Sequence, residues 1–398
     1  MSRPKTERLR SPGARGFDRR EPDGCRLSRI AIMLLGTVAV LAVIMLGCGW
    51  YLSSPVYSGN SMVQPRNVSN GRFENTEPTT VMKAGTNWDT MYQFLFKGHR
   101  DRTPTHPLPV ASMQGYGAEP AAQGLRFVWL GHACVLMELE GKRILIDPAF
   151  SDRASFFSWA GPKRFQPAPI AVKELPPIDA VLISHDHYDH LDRPTITALA
   201  GKTAIFHVPL GIAAIMEKWG VPKEKIREYA WWDERVFDDV KIVAVPARHF
   251  SGRGLFDRNR TLWCSWVLLG KKMKVYHSGD TGMAGHFREI GNRYGPFDVA
   301  FVKMSAYHEN WPDIHLNPEQ AIEAGSDLGG KIIVPIHWAT FDLSLHSWYE
   351  PIERFVTAAE KNNARIITPM MGELVDPAEH ENRYWWREGL RSRHDNDR

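Results

Sequence analysis

The segment Ile183-Ser184-His185-Asp186-His187-Tyr188-Asp189-His190-Leu191-Asp192 holds the densest chemistry in this 398-residue chain. His185, His187, Asp189 and His190 put three imidazoles and a carboxylate within six residues. Nitrogen and oxygen donors at such density suit zinc or another borderline divalent cation. The apolar β-branched run Ala180–Ile183 precedes them, so the donors sit on the loop leaving a strand.

That loop belongs to a longer alternation. Strand-like runs occur at 126–130, 134–139, 143–146, 180–183, 204–208, 240–245, 262–269, 274–276, 299–302, 332–336 and 365–367. Helical patterns fit 194–200, 210–219, 284–293, 318–326 and 350–361. The helix at 318 has a strong start, with Asn317 at the N-cap, Pro318 at N1 and Gln320 at N3. Strands dominate and helices fall between them, which favours two sheets packed face to face with helices outside.

The N-terminal end is of another kind. Ile30–Cys48 is nineteen residues without a charge, long enough for a bilayer core of about 30 Å. Arg19, Arg20, Arg26 and Arg29 precede it, which predicts a cytoplasmic tail and a catalytic domain on the non-cytoplasmic side, periplasmic or extracellular in a bacterium. Met45-Leu46-Gly47-Cys48 resembles a bacterial lipobox, so the segment is an uncleaved anchor or a signal segment with possible lipidation at Cys48. The expected organisation is a basic tail (1–29), a membrane segment (30–48), a linker (49–85), a catalytic domain (86–376) and a polar tail (377–398). Residues 1–29 carry a net +5 and the whole chain +4, so the remainder is close to neutral. A nucleic-acid partner is therefore not expected. Cys25, Cys48, Cys134 and Cys264 are too few and scattered for a disulfide framework, and the last two lie in strand-like runs as core residues.

His185-Asp186-His187-Tyr188-Asp189-His190 resembles the signature of the metallo-β-lactamase superfamily. Gly279-Asp280-Thr281-Gly282, Pro246-Ala247-Arg248-His249 and Pro335-Ile336-His337-Trp338 are similar to its further motifs. Trp129-Leu130-Gly131-His132-Ala133, Ile146-Asp147-Pro148 and His315-Leu316-Asn317-Pro318 resemble the branch containing N-acylphosphatidylethanolamine-hydrolysing phospholipase D and its bacterial relatives. The resemblance implies a four-layer αβ/βα sandwich of the metallo-β-lactamase type, here preceded by the hydrophobic membrane segment. It implies two zinc ions per chain, one on His185, His187 and His249 and one on Asp189, His190 and His337, with Asp280 and a water or hydroxide between them.

The implied activity is a phosphodiesterase; the hydroxide would attack phosphorus, or in another hydrolase of the fold a carbonyl carbon, with no Ser or Cys nucleophile. The substrate would be a phospholipid, N-acylphosphatidylethanolamine, split into N-acylethanolamine and phosphatidic acid. Asp189, Asp280 and His315 are the expected catalytic residues, His315 touching substrate or assisting the leaving group. Asp147 is expected to steady a ligand imidazole. Loop tryptophans at 159, 231, 232, 311 and 348 suit a lipid-facing surface, though core and surface packing accounts for most such residues. Two alternatives stand beside this reading: another hydrolase on the same fold, such as a sugar-phosphate lactonase or β-lactamase, and a non-catalytic zinc or lipid binder.

Overall fold

The computed structural model describes residues 67–93, 101–119 and 121–390, together with helical positions 35–37, 40 and 43. The chain divides into two units, 1–51 and 52–398. In the first, the five described positions are exposed, and the rest of the predicted membrane segment lies outside the described residues. Among the described residues no helix is long and apolar enough to cross a membrane.

In the second unit, strands β3 (Leu125–Gly131) and β4 (Cys134–Leu139) bury nearly every side chain, as strands covered on both faces must. They continue through β5 (Lys142–Ile146), β6 (Ile178–Leu182), β7 (Thr203–Pro209) and β8 (Ile226–Tyr229). With β15 (Leu374–Val375) these form a seven-stranded sheet, ordered β15-β3-β4-β5-β6-β7-β8. The second sheet has six strands, from β9 (Glu234–Phe237), β10 (Val240–Val245), β11 (Ser265–Leu269) and β12 (Lys274–His277) to β13 (Val299–Lys303) and β14 (Ile333–Ile336). Both sheets are mixed, antiparallel at one end and parallel at the other. A small hairpin of β1 (Val68–Ser69) and β2 (Arg72–Phe73) precedes them, followed by helix α1 (Asn87–Tyr92).

One apolar core joins the facing sides of the sheets, through Phe127, Val135 and Leu182 on one and Val243, Val267 and Phe301 on the other. Helices α2 (Arg193–Leu199) and α3 (Ile212–Lys218) cover the outside of the first sheet with Ile196, Leu199, Ile212 and Met216. Helices α4 (His286–Tyr294), α5 (Pro318–Asp327) and α6 (Glu350–Lys361) contribute Phe287, Ile322 and Phe355 to the larger core. The layering is that of an αβ/βα sandwich. At α5 the Asn317 side chain accepts from the Gln320 amide at 2.9 Å, and the Gln320 side chain accepts from the Asn317 amide at 3.1 Å.

Four expectations need correction. The run 262–269 becomes strand only from Ser265, because the Leu262 and Cys264 amides donate instead to the Leu210 and Ser184 carbonyls, at 2.8 and 2.9 Å. The run 365–367 makes a single bridge, Ile366 to Ile333, rather than a strand. Residues 67–85 are not a free linker: Phe73 is fully buried against Leu210, Leu262 and Trp263. Of the loop tryptophans only Trp159 is exposed; Trp311 and Trp348 are buried, and Trp231 and Trp232 pack on the core.

Candidate metal centre

The C-terminal ends of several strands gather at one edge of the sandwich. Strand β6 runs into the loop carrying His185, His187, Asp189 and His190; β10 leads to His249, β12 to Asp280 and β14 to His337. Strands β3 and β5 end beside them at His132 and Asp147. His132, Asp147 and His337 all have positive φ, at 53°, 45° and 69°. Non-glycine residues seldom adopt this conformation, and such strain concentrates at functional sites. The His337 amide donates to the His132 carbonyl at 2.8 Å, and the His132 amide donates to the Thr340 hydroxyl at 2.6 Å, so one turn constrains the other.

The donors gather in two groups, linked through Asp280. His185, His187 and His249 form one, and Asp189, His190, His337 and His132 the other. Asp280 lies between: its Oδ1 is 3.0 Å from His337 Nε2 and 3.5 Å from His190 Nε2, while its Oδ2 is 3.8 Å from His249 Nε2. All seven predicted ligands are thus brought together. His315 joins them, with Nδ1 3.8 Å from Asp280 Oδ2.

Proton bookkeeping shows what these groups can hold. The outward nitrogen of His190 donates to Asp147 Oδ2 at 2.8 Å, and that of His249 donates to the Ile314 carbonyl at 3.1 Å. The Ser184 hydroxyl donates to Asp147 at 2.6 Å and accepts from His185 Nδ1 at 2.9 Å. In its neutral form each of these three imidazoles therefore turns a lone pair inward on Nε2. Those of His185 and His249 lie 2.9 and 3.3 Å from His187 Nδ1, which carries at most one proton for two acceptors. In the other group His190 Nε2, His337 Nε2 and Asp280 Oδ1 are buried without a hydrogen-bond partner. Buried acceptors converging on one another call for a cation, and imidazole plus carboxylate donors fit a divalent metal.

The electrostatics keep His185, His249, Asp189 and Asp280 in binding form. Burial, reinforced by neighbouring histidines, holds His185 well below the usual imidazole range. Burial also lowers His249. Burial works against the carboxylates of Asp280 and Asp189, but the surrounding imidazoles hold both well below the usual range. Burial opposes charge on His190 too, yet Asp280, Asp189 and Asp147 together raise it well above an ordinary histidine. That negative field would equally attract a metal ion.

Asp186, inside the motif, serves the loop instead: its carboxylate accepts from the Gly252 amide at 2.8 Å and the Thr261 hydroxyl at 2.9 Å. Three further residues act at the site without a role assigned from the sequence. His132 donates through Nε2 to Asp189 Oδ2 at 2.8 Å, and burial pushes it down to about 3. Its position at a strand end, like Asp147, was the available signal. Asn75 binds the backbone of His249 twice, accepting from its amide at 3.0 Å and donating to its carbonyl at 2.8 Å. Lys303, fully buried at the end of β13, is pushed down to about 8 by burial against the pull of Asp280 and Asp189. Nothing local marks either one in the sequence.

A mixed two-sheet sandwich with such a donor set at its strand ends defines a metallohydrolase-type scaffold. Residues 142–338 match the family described as a beta-lactamase superfamily domain. The chain is 42% identical over 335 residues to an uncharacterized protein of Mycobacterium tuberculosis, covering 81% of this chain and 88% of that one. It is 32% identical over 360 residues to the N-acyl-phosphatidylethanolamine-hydrolyzing phospholipase D 1 of Caenorhabditis elegans, covering 82% of this chain and 98% of the relative. Among solved structures, the isothiocyanate hydrolase from Delia radicum gut bacteria aligns with a TM-score of 0.51 at 20% identity, over 63% of this chain and 98% of that one, a likeness of fold. The chain belongs to the metallo-β-lactamase superfamily, as a metal-dependent hydrolase whose homologues include N-acylphosphatidylethanolamine-hydrolysing phospholipase D.

Proposed function

We propose that this protein is a zinc-dependent phosphodiesterase that hydrolyses a phospholipid, N-acylphosphatidylethanolamine, to N-acylethanolamine and phosphatidic acid. The observation that carries the reading is the pair of donor groups straddled by Asp280. The lipid substrate rests on the name of the worm relative, which this chain matches over nearly its whole length. His185, His187 and His249 would hold one zinc and Asp189, His190 and His337 the other, with Asp280 shared. Two such ions, when bound, supply an activated water and neutralise charge developing on the phosphoryl oxygens.

The chain's own residues do the rest. Asp147 and the Ile314 carbonyl fix the tautomers of His190 and His249. His132 holds Asp189 in place. His315, with Nδ1 3.8 Å from Asp280 Oδ2, would hydrogen-bond the departing ethanolamide oxygen. A small pocket beside His132 and His337 is walled in part by Phe165, Phe341 and Trp348. The apolar segment 30–48 would tether the enzyme, with the catalytic domain on the non-cytoplasmic side, and so keep it beside its substrate.

The test uses the full chain purified in detergent, its metal counted, and assayed on N-acylphosphatidylethanolamine vesicles, bis(p-nitrophenyl) phosphate and a chromogenic lactam. Two zincs per chain and lipid turnover abolished in Asp280→Ala are expected. Turnover of the diester alone discards the lipid; turnover of the lactam alone discards the phosphodiesterase. Bound metal with no turnover of any of the three leaves a binding protein.

A further inference from the structure

The chain exposes two apolar loop tips beside its metal centre. The first is a hairpin spanning 152–164, closed by the bridge Arg153–Lys163 and by the Ala154 amide donating to the Pro162 carbonyl at 3.0 Å. Its base is stitched to the turn that carries His337: Arg164 bridges Phe341, and the Phe165 amide donates to the Thr340 carbonyl at 2.8 Å. Its tip presents Phe156, Phe157 and Trp159, the last 75% exposed, with ring centroids 5.1 and 5.2 Å apart in sequence. The second tip follows His249. The Gly252 amide there is held by Asp186 at 2.8 Å, and Leu255 and Phe256 project, the former 66% exposed. Folding leaves both tips apolar and wet, on loops otherwise anchored to ligand-bearing segments.

Charge decides what they meet. Lys163 and Arg153 flank the first tip, beside the exposed Asp152 and with Arg153 donating to the Gly161 carbonyl at 2.6 Å, and the exposed Arg258 sits two residues beyond Phe256 in the second, after Asp257, which is buried in its own loop. Aromatic side chains beside cationic ones match a bilayer interface, where rings settle at headgroup depth and cations meet lipid phosphates. A second protein copy would gain little from such a basic rim facing its own equivalent.

We propose that the tips around Phe156-Phe157-Trp159 and Leu255-Phe256 insert into an anionic lipid surface and seat the mouth of the metal site on the bilayer. This rests on the phospholipid reading above and adds to it the surface that docks. An N-terminal tether alone keeps the domain near a membrane; these tips would orient it.

The full chain is reconstituted into phosphatidylethanolamine–phosphatidylglycerol vesicles with and without brominated acyl chains. Wild type is expected to show more bromine quenching than Trp159→Phe, the difference being Trp159 itself. The triple variant Phe156→Ser/Phe157→Ser/Trp159→Ser is expected to lose on the order of tenfold or more in turnover of vesicle lipid. Its turnover of bis(p-nitrophenyl) phosphate in solution should stay at the wild-type rate, which also shows that it is folded. Equal quenching of wild type and Trp159→Phe overturns the proposal. So does undiminished vesicle turnover by the triple variant, although the phospholipid reading then stands. Trp159 quenching without lipid turnover by wild type keeps the docking surface and sinks the phospholipid reading. A dimer in detergent that the triple variant abolishes would assign the patch to a second copy instead.

Discussion

Asp147 accepts three hydrogen bonds that set two neighbouring residues: from the Ser184 amide at 2.7 Å, the Ser184 hydroxyl at 2.6 Å and His190 Nδ1 at 2.8 Å. Removing such a partner lets a ligand imidazole turn and change tautomer. Asp147→Ala is expected to lower metal affinity about 10–100-fold, read by chelator competition. Unchanged affinity would show that His190 needs no outside anchor. Asn75 makes the same argument through the backbone of His249, and it also accepts from Trp263 Nε1 at 3.1 Å. Asn75→Ala leaves a part-buried amide and carbonyl short of partners, at a cost of about 1–3 kcal/mol in denaturant unfolding, with metal affinity reduced. At this scale the legible residues were those whose neighbours in sequence are also neighbours in space. His185, His187, Asp189 and His190 declare themselves within one loop, whereas Asn75 reaches its partner across 174 positions.

Elements are placed by close approaches that tolerate no extra atom. Gly282 passes the 313–314 segment so tightly that an added Cβ would lie 1.8 Å from the Asp313 carbonyl oxygen. The Leu316 amide donates to the Thr281 carbonyl at 3.0 Å, so this crossing ties Asp280 to His315. Gly282→Ala is expected to separate the two segments, costing about 1–3 kcal/mol and lowering zinc stoichiometry in the purified protein. A variant with full zinc and wild-type melting would refute the crossing's role. The capping box of α5 was readable because its residues lie three apart in sequence. Strands β8 and β9 escaped notice because their short, charge-rich runs are strands only by virtue of the partners β7 and β10.

The whole domain has a pH limit written into its core. His207 is buried between the sheets with Nδ1 2.7 Å from the Tyr229 hydroxyl, and burial pushes it down to about 3. The unfolded chain protonates this histidine near 6.5 and the folded one does not, so stability is steady above that pH and is lost as pH falls towards 3. Each such histidine contributes about 1.4 kcal/mol of loss per pH unit in that window, roughly 2 kcal/mol by pH 5. His207→Gln, which keeps a partner for Tyr229, should flatten the decline measured by denaturant unfolding between pH 7 and 5. Metal removal acts on the same scale. Chelation should lower the melting temperature by about 2–4 °C for each kcal/mol of linkage lost, and added zinc should restore it.

Short-range pattern was enough for several features. Apolar runs marked the two-sheet layering, a dense histidine loop marked the metal-binding chemistry, and the capping residues marked α5, since each depends on residues close along the chain. Tertiary structure decided the rest. It folded residues 67–85 onto the sandwich and placed His132 against Asp189. It also left the tips at 156–159 and 255–256 exposed. Side-chain burial and hydrogen-bond partnership depend on which distant strands come to lie together, and local composition carries no record of that choice.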